Sequence, residues 1–378
     1  GRIMKKYICL FLTLWGLLPG FAQQTDTVVL NLSEAITHEP KVIMLSEIAS
    51  DIHFISLETT DDFFLCDEYR IIYTGDDILV YDRQMRNYFR FDKNGKLLNR
   101  IGEYGQKTEN YLVGLSFSYD YSEKRVYVHD IRTLVCYDLD GKFIKRIPVP
   151  HLNGDACAVF DKGHILYSDS RFYIDRDNPL QLFLTDETGK ELKVWQGYVE
   201  KYKSYKALMS TRDLMYNYQG AVYFKPAFEN LIYRIDGQGE KTVAWQFDCS
   251  GYEINVSVNE ADPKNRYQAI SVQQVFESDH YLFVSYILRN NNFTGLYDKD
   301  QRTFSNVIVK DDLSGGFDFI FSGIGFGNQL MNAHAVSYAK KAERYPEALL
   351  PSRRQELDSL VNQLRMGDNP VISITTLK

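Results

Sequence analysis

The feature that most constrains the fold is a hairpin signature, Asp-x-x-Gly, which ends an aromatic or β-branched segment and recurs along the chain. An aspartate at this place accepts hydrogen bonds from backbone amides of the turn, and a glycine adopts the left-handed conformation that a short hairpin loop requires. Five copies are present, the last with glutamine in the glycine position. They run from Asp92 to Gly95, Asp138 to Gly141, Asp186 to Gly189, Asp236 to Gly239 and Asp298 to Gln301.

The spacing of these hairpins indicates one repeat architecture rather than two independent domains. Successive turn residues lie 46, 48, 50 and 62 residues apart, and four-stranded propeller blades repeat every ~40–50 residues. Two further β-rich segments precede each hairpin, for example 70–73 and 78–81 before the first. The sequence therefore predicts an all-β fold, a six-bladed β-propeller of four-stranded antiparallel blades, with seven blades as the alternative count.

The sixth blade is predicted to combine both ends of the chain, because a propeller that pairs its terminal strands leaves no open sheet edge. The N-terminal segment 52–57 supplies its outermost strand. The other three strands are predicted at 317–321, 333–338 and 371–377.

A helical insertion is predicted at about 345–367, inside the sixth blade. Ser352 and Gln355 have the spacing of a capping box, and an apolar stripe follows on one helical face. The stripe consists of Leu357, Leu360, Val361 and Leu364. We expect it to pack on the propeller wall; a partner-binding helix is the alternative.

The first 22 residues have the pattern of an export signal. Lys5 and Lys6 precede an apolar run, 8–18, and Ala22 ends a group of small residues of the kind that signal peptidase recognises. The run is shorter than the roughly 20 apolar residues that a transmembrane helix needs. We expect cleavage after Ala22, a lead-in at 23–44 and a single propeller domain at 45–378. The mature protein, without a transmembrane segment, is then periplasmic or extracellular.

Composition excludes one class of partner and leaves the redox state open. The formal net charge is −7, whereas a nucleic-acid-binding protein needs clustered Lys and Arg. Export permits disulfides, but a core of this size does not need them, so we expect buried free thiols. The four cysteines after the signal are Cys66, Cys136, Cys157 and Cys249.

Three segments resemble a known family. They are 45–60, with Leu-Ser-Glu-Ile-Ala leading to Ile-Ser-Leu-Glu-Thr-Thr, the turn 91–96, and the closing Asp-Asn-Pro-Val at 368–371. The chain resembles the secreted six-bladed β-propeller proteins abundant in Bacteroidetes-type bacteria, most of which lack an assigned function. It departs from them at 102–111, where a Gly-Pro-Gly-Glu-Tyr stretch has lost Gly-Pro and keeps Glu109 and Tyr111.

Propeller geometry predicts the face on which a ligand binds. The Asp-x-x-Gly turns join the third and fourth strands of each blade, so the turns between second and third strands lie on the opposite face, where propellers usually bind ligands. A ring of charge there would hold a polar or anionic ligand through bidentate arginine contacts; solvated turn residues in surface ion pairs are the alternative. The candidates are Asp82, Arg83, Asp130, Arg132, Asp169, Arg171, Lys225 and Arg289.

Other chemistries have weaker support in the sequence. The repeated aspartates suit turn capping better than calcium, and the tyrosines suit strand packing better than sugar stacking. The glycines at 314–316 and 323–327 lack the lysine and helix of a phosphate loop. Neither a G-x-S-x-G elbow nor an H-E-x-x-H motif occurs. Of the histidines, only His129 and His164 lie near the predicted ligand face.

Two functions remain open. The first is an exported, non-catalytic binding or scaffolding propeller without a cofactor, whose partner is an unknown protein, a glycan or a small polar ligand. The alternative is a calcium-dependent hydrolase or lyase with the metal in the central channel, which requires several oxygen ligands to converge there.

Overall fold

Six sheets, each with four antiparallel strands, surround a central channel in a computed structural model of the chain, so the predicted six-bladed β-propeller is confirmed. The predicted signal peptide, 1–22, lies outside the described residues. The structure describes residues 27–60, 63–66, 68–151, 156–160, 163–168, 180–197, 213–227, 229–253, 267–317, 319 and 321–378.

Each blade has four strands that run from the channel outward. The innermost strands are β4 (Tyr69–Tyr73), β8 (Ser116–Asp120), β12 (Ala156–Phe160), β16 (Leu214–Tyr218), β20 (Ser271–Glu277) and β24 (Ile324–Phe326). The second strands are β5 (Asp77–Asp82), β9 (Arg125–Asp130), β13 (His164–Ser168), β17 (Ala221–Lys225), β21 (Tyr281–Leu288) and β25 (Gln329–His334). We number the blades 1 to 6 in this order.

The outer half of each blade contains the Asp-x-x-Gly hairpin. The third strands are β6 (Asn87–Asp92), β10 (Thr133–Asp138), β14 (Leu180–Thr185), β18 (Leu231–Ile235), β22 (Asn291–Asp298) and β26 (Val371–Leu377). The outermost strands are β7 (Leu97–Arg100), β11 (Phe143–Pro148), β15 (Glu191–Gln196), β19 (Lys241–Asp248), β23 (Thr303–Lys310) and β3 (Ala49–Ser56).

Blade 6 closes the ring by pairing β26 with the N-terminal β3, as predicted. Its two inner strands, however, are β24 and β25. The prediction at 317–321 was wrong, and the prediction at 333–338 was right only for residues 333–334, the end of β25. Phe317 and Phe321 are buried core side chains outside any strand. The segment after β25 turns into a short helix because Val336 and Ala339 bury one helical face.

Four helices occur among the described residues: α1 (Leu32–Ala35), α2 (Leu45–Ile48), α3 (Val336–Lys341) and α4 (Pro351–Gln363). Helix α4 is the predicted insertion, and its apolar stripe packs on blade 6, with Leu357 fully buried. The predicted capping box is absent, because Leu350 is the N-cap and a proline occupies the first turn. Arg353 instead joins the helix to β3 through two hydrogen bonds of 2.8 Å to Asp51.

The lead-in adds strands that the sequence did not predict. β1 (Val28–Asn31) pairs in parallel with β19, and β2 (Lys41–Met44) pairs in parallel with β23. Blades 4 and 5 therefore have a fifth, outermost strand. Within the described ranges, no helix is long and apolar enough to cross a membrane.

The hydrophobic core consists of six clusters, one between each pair of neighbouring blades. Between blades 1 and 2, for example, Tyr81 and Tyr88 pack against Val126 and Tyr137. Because both faces of every sheet are buried, the strands read as apolar runs rather than as strict alternation. Cys136, Cys157 and Cys249 are free thiols, and Cys136 and Cys249 are buried.

The hairpin signature has the predicted local chemistry and a second role between blades. Asp92 accepts hydrogen bonds from the amides of Asn94 and Lys96, and Gly95 has φ +84°. The glycines at 95, 141 and 189 each lie against the end of the preceding blade's outermost strand. In the fifth hairpin the left-handed residue is Arg302, one position beyond the predicted Gln301.

Candidate functional site

The central channel opens into a cavity of about 870 Å³. Each inner strand ends at the turn to the second strand of its blade, and residues of these turns line the cavity. Such turns share a face with the Asp-x-x-Gly hairpins, because the four strands of a blade alternate in direction. We call this opening the channel mouth; it lies on the face opposite to the predicted ligand face.

One side of the channel mouth is aromatic. Phe326, 43% exposed, stacks on Tyr121 with ring centroids 5.0 Å apart and planes 9° apart. The Tyr121 hydroxyl donates a 3.3 Å hydrogen bond to the carbonyl of Tyr73, which places the ring pair across blades 6, 2 and 1. Gly75 leaves room for it, since an added Cβ there would lie 2.9 Å from the Phe326 ring. This pair forms a flat apolar platform in the cavity wall.

The other side of the channel mouth carries amides and a carboxylate. The Asp279 carboxylate accepts hydrogen bonds from the Tyr218 hydroxyl at 3.3 Å and from the Asn328 amide at 3.1 Å. The Gln219 amide donates to the Tyr218 hydroxyl at 2.9 Å. Asn217, Gln219 and Asp279 are all exposed. Hydrogen-bond donors and acceptors thus line the same cavity as the aromatic platform.

A buried carboxylate supports this polar wall. Glu277 accepts hydrogen bonds from the Tyr216 hydroxyl at 2.8 Å, the Trp245 indole at 3.2 Å and the Lys299 ammonium at 2.8 Å. The ammonium also lies 4.6 Å from the centroid of the Tyr218 ring. Burial, together with the Glu277 charge, raises the pKa of Tyr216 well above its usual value. The phenol therefore stays a neutral donor, and the Glu277 charge is compensated internally.

Two further polar groups lie along the channel. The buried Asp120 carboxylate accepts hydrogen bonds from the amide and hydroxyl of Ser122 at 2.9 and 2.6 Å through one oxygen. Its other oxygen is buried and has no hydrogen-bond partner among the described residues. Burial raises the pKa of the Cys157 thiol to about 12, so the thiolate needed for nucleophilic chemistry is not populated at neutral pH.

The calcium alternative requires several oxygen ligands that converge on one point in the channel. Over the described parts of the chain, no three Asp, Glu, His or Cys side chains converge closely enough to hold an ion. The calcium alternative stays a prediction.

On the predicted ligand face, the Asp82 and Asp130 side chains are buried and bind the segments that cross between blades. Asp82 accepts hydrogen bonds from the amides of Gln84, Met85 and Cys66 at 2.8–3.0 Å. This bonding joins the turn after β5 to the segment that enters blade 1.

Asp130 has the same role one blade further on. It accepts the amides of Leu112 and Val113 at 3.0 and 2.9 Å and the Arg146 guanidinium at 3.1 Å. Burial opposes ionisation of Asp130, but the amides and the guanidinium outweigh it and lower its pKa.

The basic candidates divide into two groups. Lys225 is buried, its ammonium donates a 3.1 Å hydrogen bond to the carbonyl of Pro226, and burial lowers its pKa to about 8. Arg83, Arg132 and Arg289 are exposed on turns, and Arg83 lies 3.5 Å from Glu68. Asp169 and Arg171 lie outside the described residues. Ligand binding by these eight residues stays a prediction.

Sequence reasoning did not single out the residues of the channel mouth. Asn217, Gln219 and Phe326 belong to innermost strands and their turns, which carry no motif comparable to Asp-x-x-Gly. The only local signal is a glycine after each segment, Gly220 and Gly327, both with positive φ.

A family model described as a domain of unknown function, DUF4934, matches residues 27–376. The chain belongs to this family. The match spans all six blades of the DUF4934 propeller and both lead-in strands, so the resemblance seen in the sequence is confirmed.

Two solved structures are similar to this DUF4934 chain. A Bacteroides fragilis protein inferred to be exported has a TM-score of 0.70 at 19% identity, over 93% of this chain and 99% of that chain. A member of the DUF4221 family from Bacteroides vulgatus has a TM-score of 0.50 at 10% identity, over 87% of this chain and 97% of that chain. At these identities the likeness concerns the fold. No curated protein matches the chain.

Proposed function

We propose that this DUF4934 propeller is an exported, non-catalytic binding protein that takes a glycan into the channel mouth. The observation that carries the proposal is the two-sided wall of the 870 Å³ cavity, with the Phe326 platform on one side and exposed amide and carboxylate groups on the other. Ligand pockets of ~300–1,000 Å³ with a mainly apolar lining and a few placed polar groups are typical of small-molecule sites.

The chemistry of a sugar matches both sides of this wall. The C–H face of a pyranose is apolar and flat, so it stacks on an aromatic ring, while its hydroxyl rim donates and accepts hydrogen bonds. Asn217 and Gln219 supply amide donors and acceptors, and Asp279 supplies a carboxylate acceptor. The charged group among these three side chains, the Asp279 carboxylate, would repel an anionic ligand, which favours a neutral glycan over an anionic one.

The states of two reactive groups in the channel, Glu277 and Cys157, favour binding over catalysis. Glu277 accepts hydrogen bonds from Lys299, the Tyr216 hydroxyl and the Trp245 indole. Burial raises the pKa of the Cys157 thiol to about 12, so this thiol is protonated at neutral pH. Neither group then supplies the poised acid, base or nucleophile that hydrolysis needs.

Export rests on the predicted signal peptide and on the similar Bacteroides fragilis protein that is inferred to be exported. Periplasmic or extracellular delivery predicts that expression in a Bacteroides host yields a mature chain beginning at Gln23, the residue after Ala22. N-terminal sequencing of the fractionated protein tests this. An uncleaved cytoplasmic product would contradict it.

The binding proposal is tested by a glycan array followed by titration calorimetry with a glycan that binds. Phe326→Ala removes the platform and should weaken binding at least tenfold, or about 1.4 kcal/mol. Phe143→Ala is the matched control, because Phe143 is an exposed phenylalanine on the outermost strand β11. A wild-type protein that binds no glycan, or a Phe326→Ala protein that binds as tightly as wild type, would refute the proposal.

A further inference from the structure

The channel mouth is lined by acidic as well as aromatic side chains. Among the described residues that line its 870 Å³ cavity, Asp120, Glu277 and Asp279 are acidic, and none is a lysine, an arginine or a histidine. A cleft lined by charge of one sign attracts ligands of the opposite sign, because its low-dielectric walls focus the field. The charges of the lining therefore bear on which glycan the channel mouth accepts.

Three carboxylates in and around the channel mouth are each paired with a base. The pairs are Glu277 with Lys299 at 2.8 Å, Asp76 with Lys124 at 3.6 Å, and Glu123 with Arg125 at 3.4 Å. The two charges of an ion pair largely cancel at a distance, so these pairs add little net charge to the cavity.

Asp279 and Asp120 have no ion-pair partner among the described residues. Asp279 is exposed in the cavity wall. The groups that donate hydrogen bonds to its carboxylate are neutral, namely the Tyr218 hydroxyl, the Asn328 amide and the Gln219 amide. The negative charge of Asp279 is therefore available to a ligand.

The second unpaired carboxylate, Asp120, lies beneath the wall. Its side chain is buried, and one of its oxygens has no hydrogen-bond partner among the described residues. The other oxygen accepts the amides of Ser122 and Glu123 at 2.9 and 3.1 Å, and these amides carry no net charge. Because a buried charge is screened less than one in water, Asp120 adds to the negative potential of the cavity without contacting the ligand.

Reciprocal hydrogen bonds join the turn of Asp279 to the hairpin that carries the aromatic platform. The Asp279 amide donates to the Asn328 side chain at 3.0 Å, and the Asn328 amide donates back to the carboxylate at 3.1 Å. Asn328 belongs to the turn that follows Phe326. The face of an aromatic ring also attracts ammonium groups, because it is electron-rich. The cavity thus combines a flat apolar surface with two features that favour a cation.

We propose that the channel mouth selects a glycan that carries unsubstituted amino groups, of the kind found in oligosaccharides of glucosamine. This inference rests on the proposed glycan binding and adds the class of sugar. The pyranose ring would stack on Phe326, and its ammonium group would donate charge-assisted hydrogen bonds to Asp279. An N-acetylated sugar has a neutral amide in place of the ammonium group and would lose this interaction.

Three tetrasaccharides with the same linkage test the proposal, those of glucosamine, N-acetylglucosamine and glucose. Titration calorimetry at about pH 6 keeps the amino groups charged, since comparable α-amino groups lose their proton near ~8. We expect wild type to bind the glucosamine tetrasaccharide at least tenfold more tightly than either of the others, the equivalent of about 1.4 kcal/mol. The preference should decrease in ~1 M salt, where the Debye length is only ~3 Å.

Asp279→Asn removes the exposed charge and keeps an oxygen that accepts the Tyr218 hydroxyl. This variant should bind the glucosamine tetrasaccharide at least tenfold more weakly than wild type and should lose the preference over the glucose tetrasaccharide. Asp300→Asn is the matched control, because Asp300 lies on the outer hairpin of the same blade, outside the cavity lining, with its side chain 70% exposed. Asp120→Asn should weaken binding by a smaller factor, since this carboxylate acts at a distance.

The outcomes distinguish this inference from the proposed glycan binding. Equal binding of the three tetrasaccharides, an undetectable affinity of wild type for the glucosamine tetrasaccharide, or an unchanged preference in the Asp279→Asn protein would overturn the amino-sugar assignment alone. Tetralysine that binds as tightly would also overturn it, because the channel mouth would then be a general cation site. Wild type that binds no glycan on the array would overturn both proposals. Phe326→Ala should weaken the binding of all three tetrasaccharides.

Discussion

Replacing Gly141 with alanine tests whether the Asp-x-x-Gly hairpins hold neighbouring blades together. Gly141 has φ +82°, and its carbonyl accepts a 3.4 Å hydrogen bond from the amide of Gly102 in the preceding blade crossover. An added Cβ would lie well inside van der Waals contact with the carbonyl oxygen of Arg100 and 3.3 Å from the Cα of Ile101. The substitution therefore strains the turn and also pushes blade 2 away from blade 1.

The expected loss in the free energy of unfolding has two parts, the strain within the turn and the displacement of blade 2 from blade 1. A left-handed alanine costs roughly 1–2 kcal/mol relative to glycine. Forcing apart two packed backbone segments adds a further ~1–3 kcal/mol, as overpacking does in cores. Gly220→Ala isolates the first part, because Gly220 has φ +74° in an inner hairpin and an added Cβ would meet nothing within 4 Å. We expect Gly141→Ala to lose ~2–5 kcal/mol and Gly220→Ala to lose ~1–2 kcal/mol.

The assay is equilibrium unfolding in urea, followed by the fluorescence of Trp195 and Trp245. If the variants and wild type have the same dependence of the free energy of unfolding on urea concentration, their midpoints convert into free energies of unfolding. Equal losses in the two variants would refute the reasoning. The hairpin would then be a local turn only, and the close approach of blade 1 to blade 2 would contribute nothing to stability.

Three further predictions concern buried polar groups and calcium. Asp130→Asn leaves the Arg146 guanidinium without its buried anion and should lower the free energy of unfolding at pH 7 by about 3 kcal/mol. The folded-state pKa of Asp130 is lowered, so ionised Asp130 stabilises the folded protein above the usual carboxyl pKa. This contribution is lost as the pH falls through the folded-state pKa. Below about pH 4, the urea midpoint of the Asp130→Asn protein should therefore change less with pH than the midpoint of wild type. Burial lowers the pKa values of His129 and His334 from 6.5 to about 4. As the pH falls from 6.5 to 4, these histidines bind protons in the unfolded chain before they do so in the folded protein. Each of them therefore lowers the free energy of unfolding by up to about 3 kcal/mol over this range. His129→Phe should roughly halve this loss in midpoints measured across that window, and an unchanged slope would count against the burial of His129. If the protein binds its ligand without calcium, calorimetry should give the same melting temperature in 1 mM calcium as in EDTA. A melting temperature several degrees higher in calcium would favour the hydrolase or lyase alternative.

The sequence by itself determined the blade architecture, because each hairpin depends on residues two to four apart. The Asp92 carboxylate and the Gly95 backbone act within one turn, so the spacing of these hairpins along the chain reports the length of one blade. The N-terminal strand and the helical insertion of blade 6 were predictable for the same reason, since strand and helix periods are local. The fifth hairpin shows the limit, because its left-handed residue, Arg302, follows one position after the expected Gln301.

Only the tertiary structure decided where the chemistry lies. Asp82 and Asp130 look like surface charges in the sequence, yet they turn inward because crossing segments from the same blade present unpaired amides to them. The lead-in strand β1 was not predictable either, since it pairs with β19, a strand more than 200 residues away in the chain. The wall of the channel mouth joins Phe326 of blade 6 to Tyr121 of blade 2 beside blade 1, a contact that depends on closing the whole ring. No local pattern encodes such a contact, because the free energy that forms it comes from burial between blades rather than from the segments themselves.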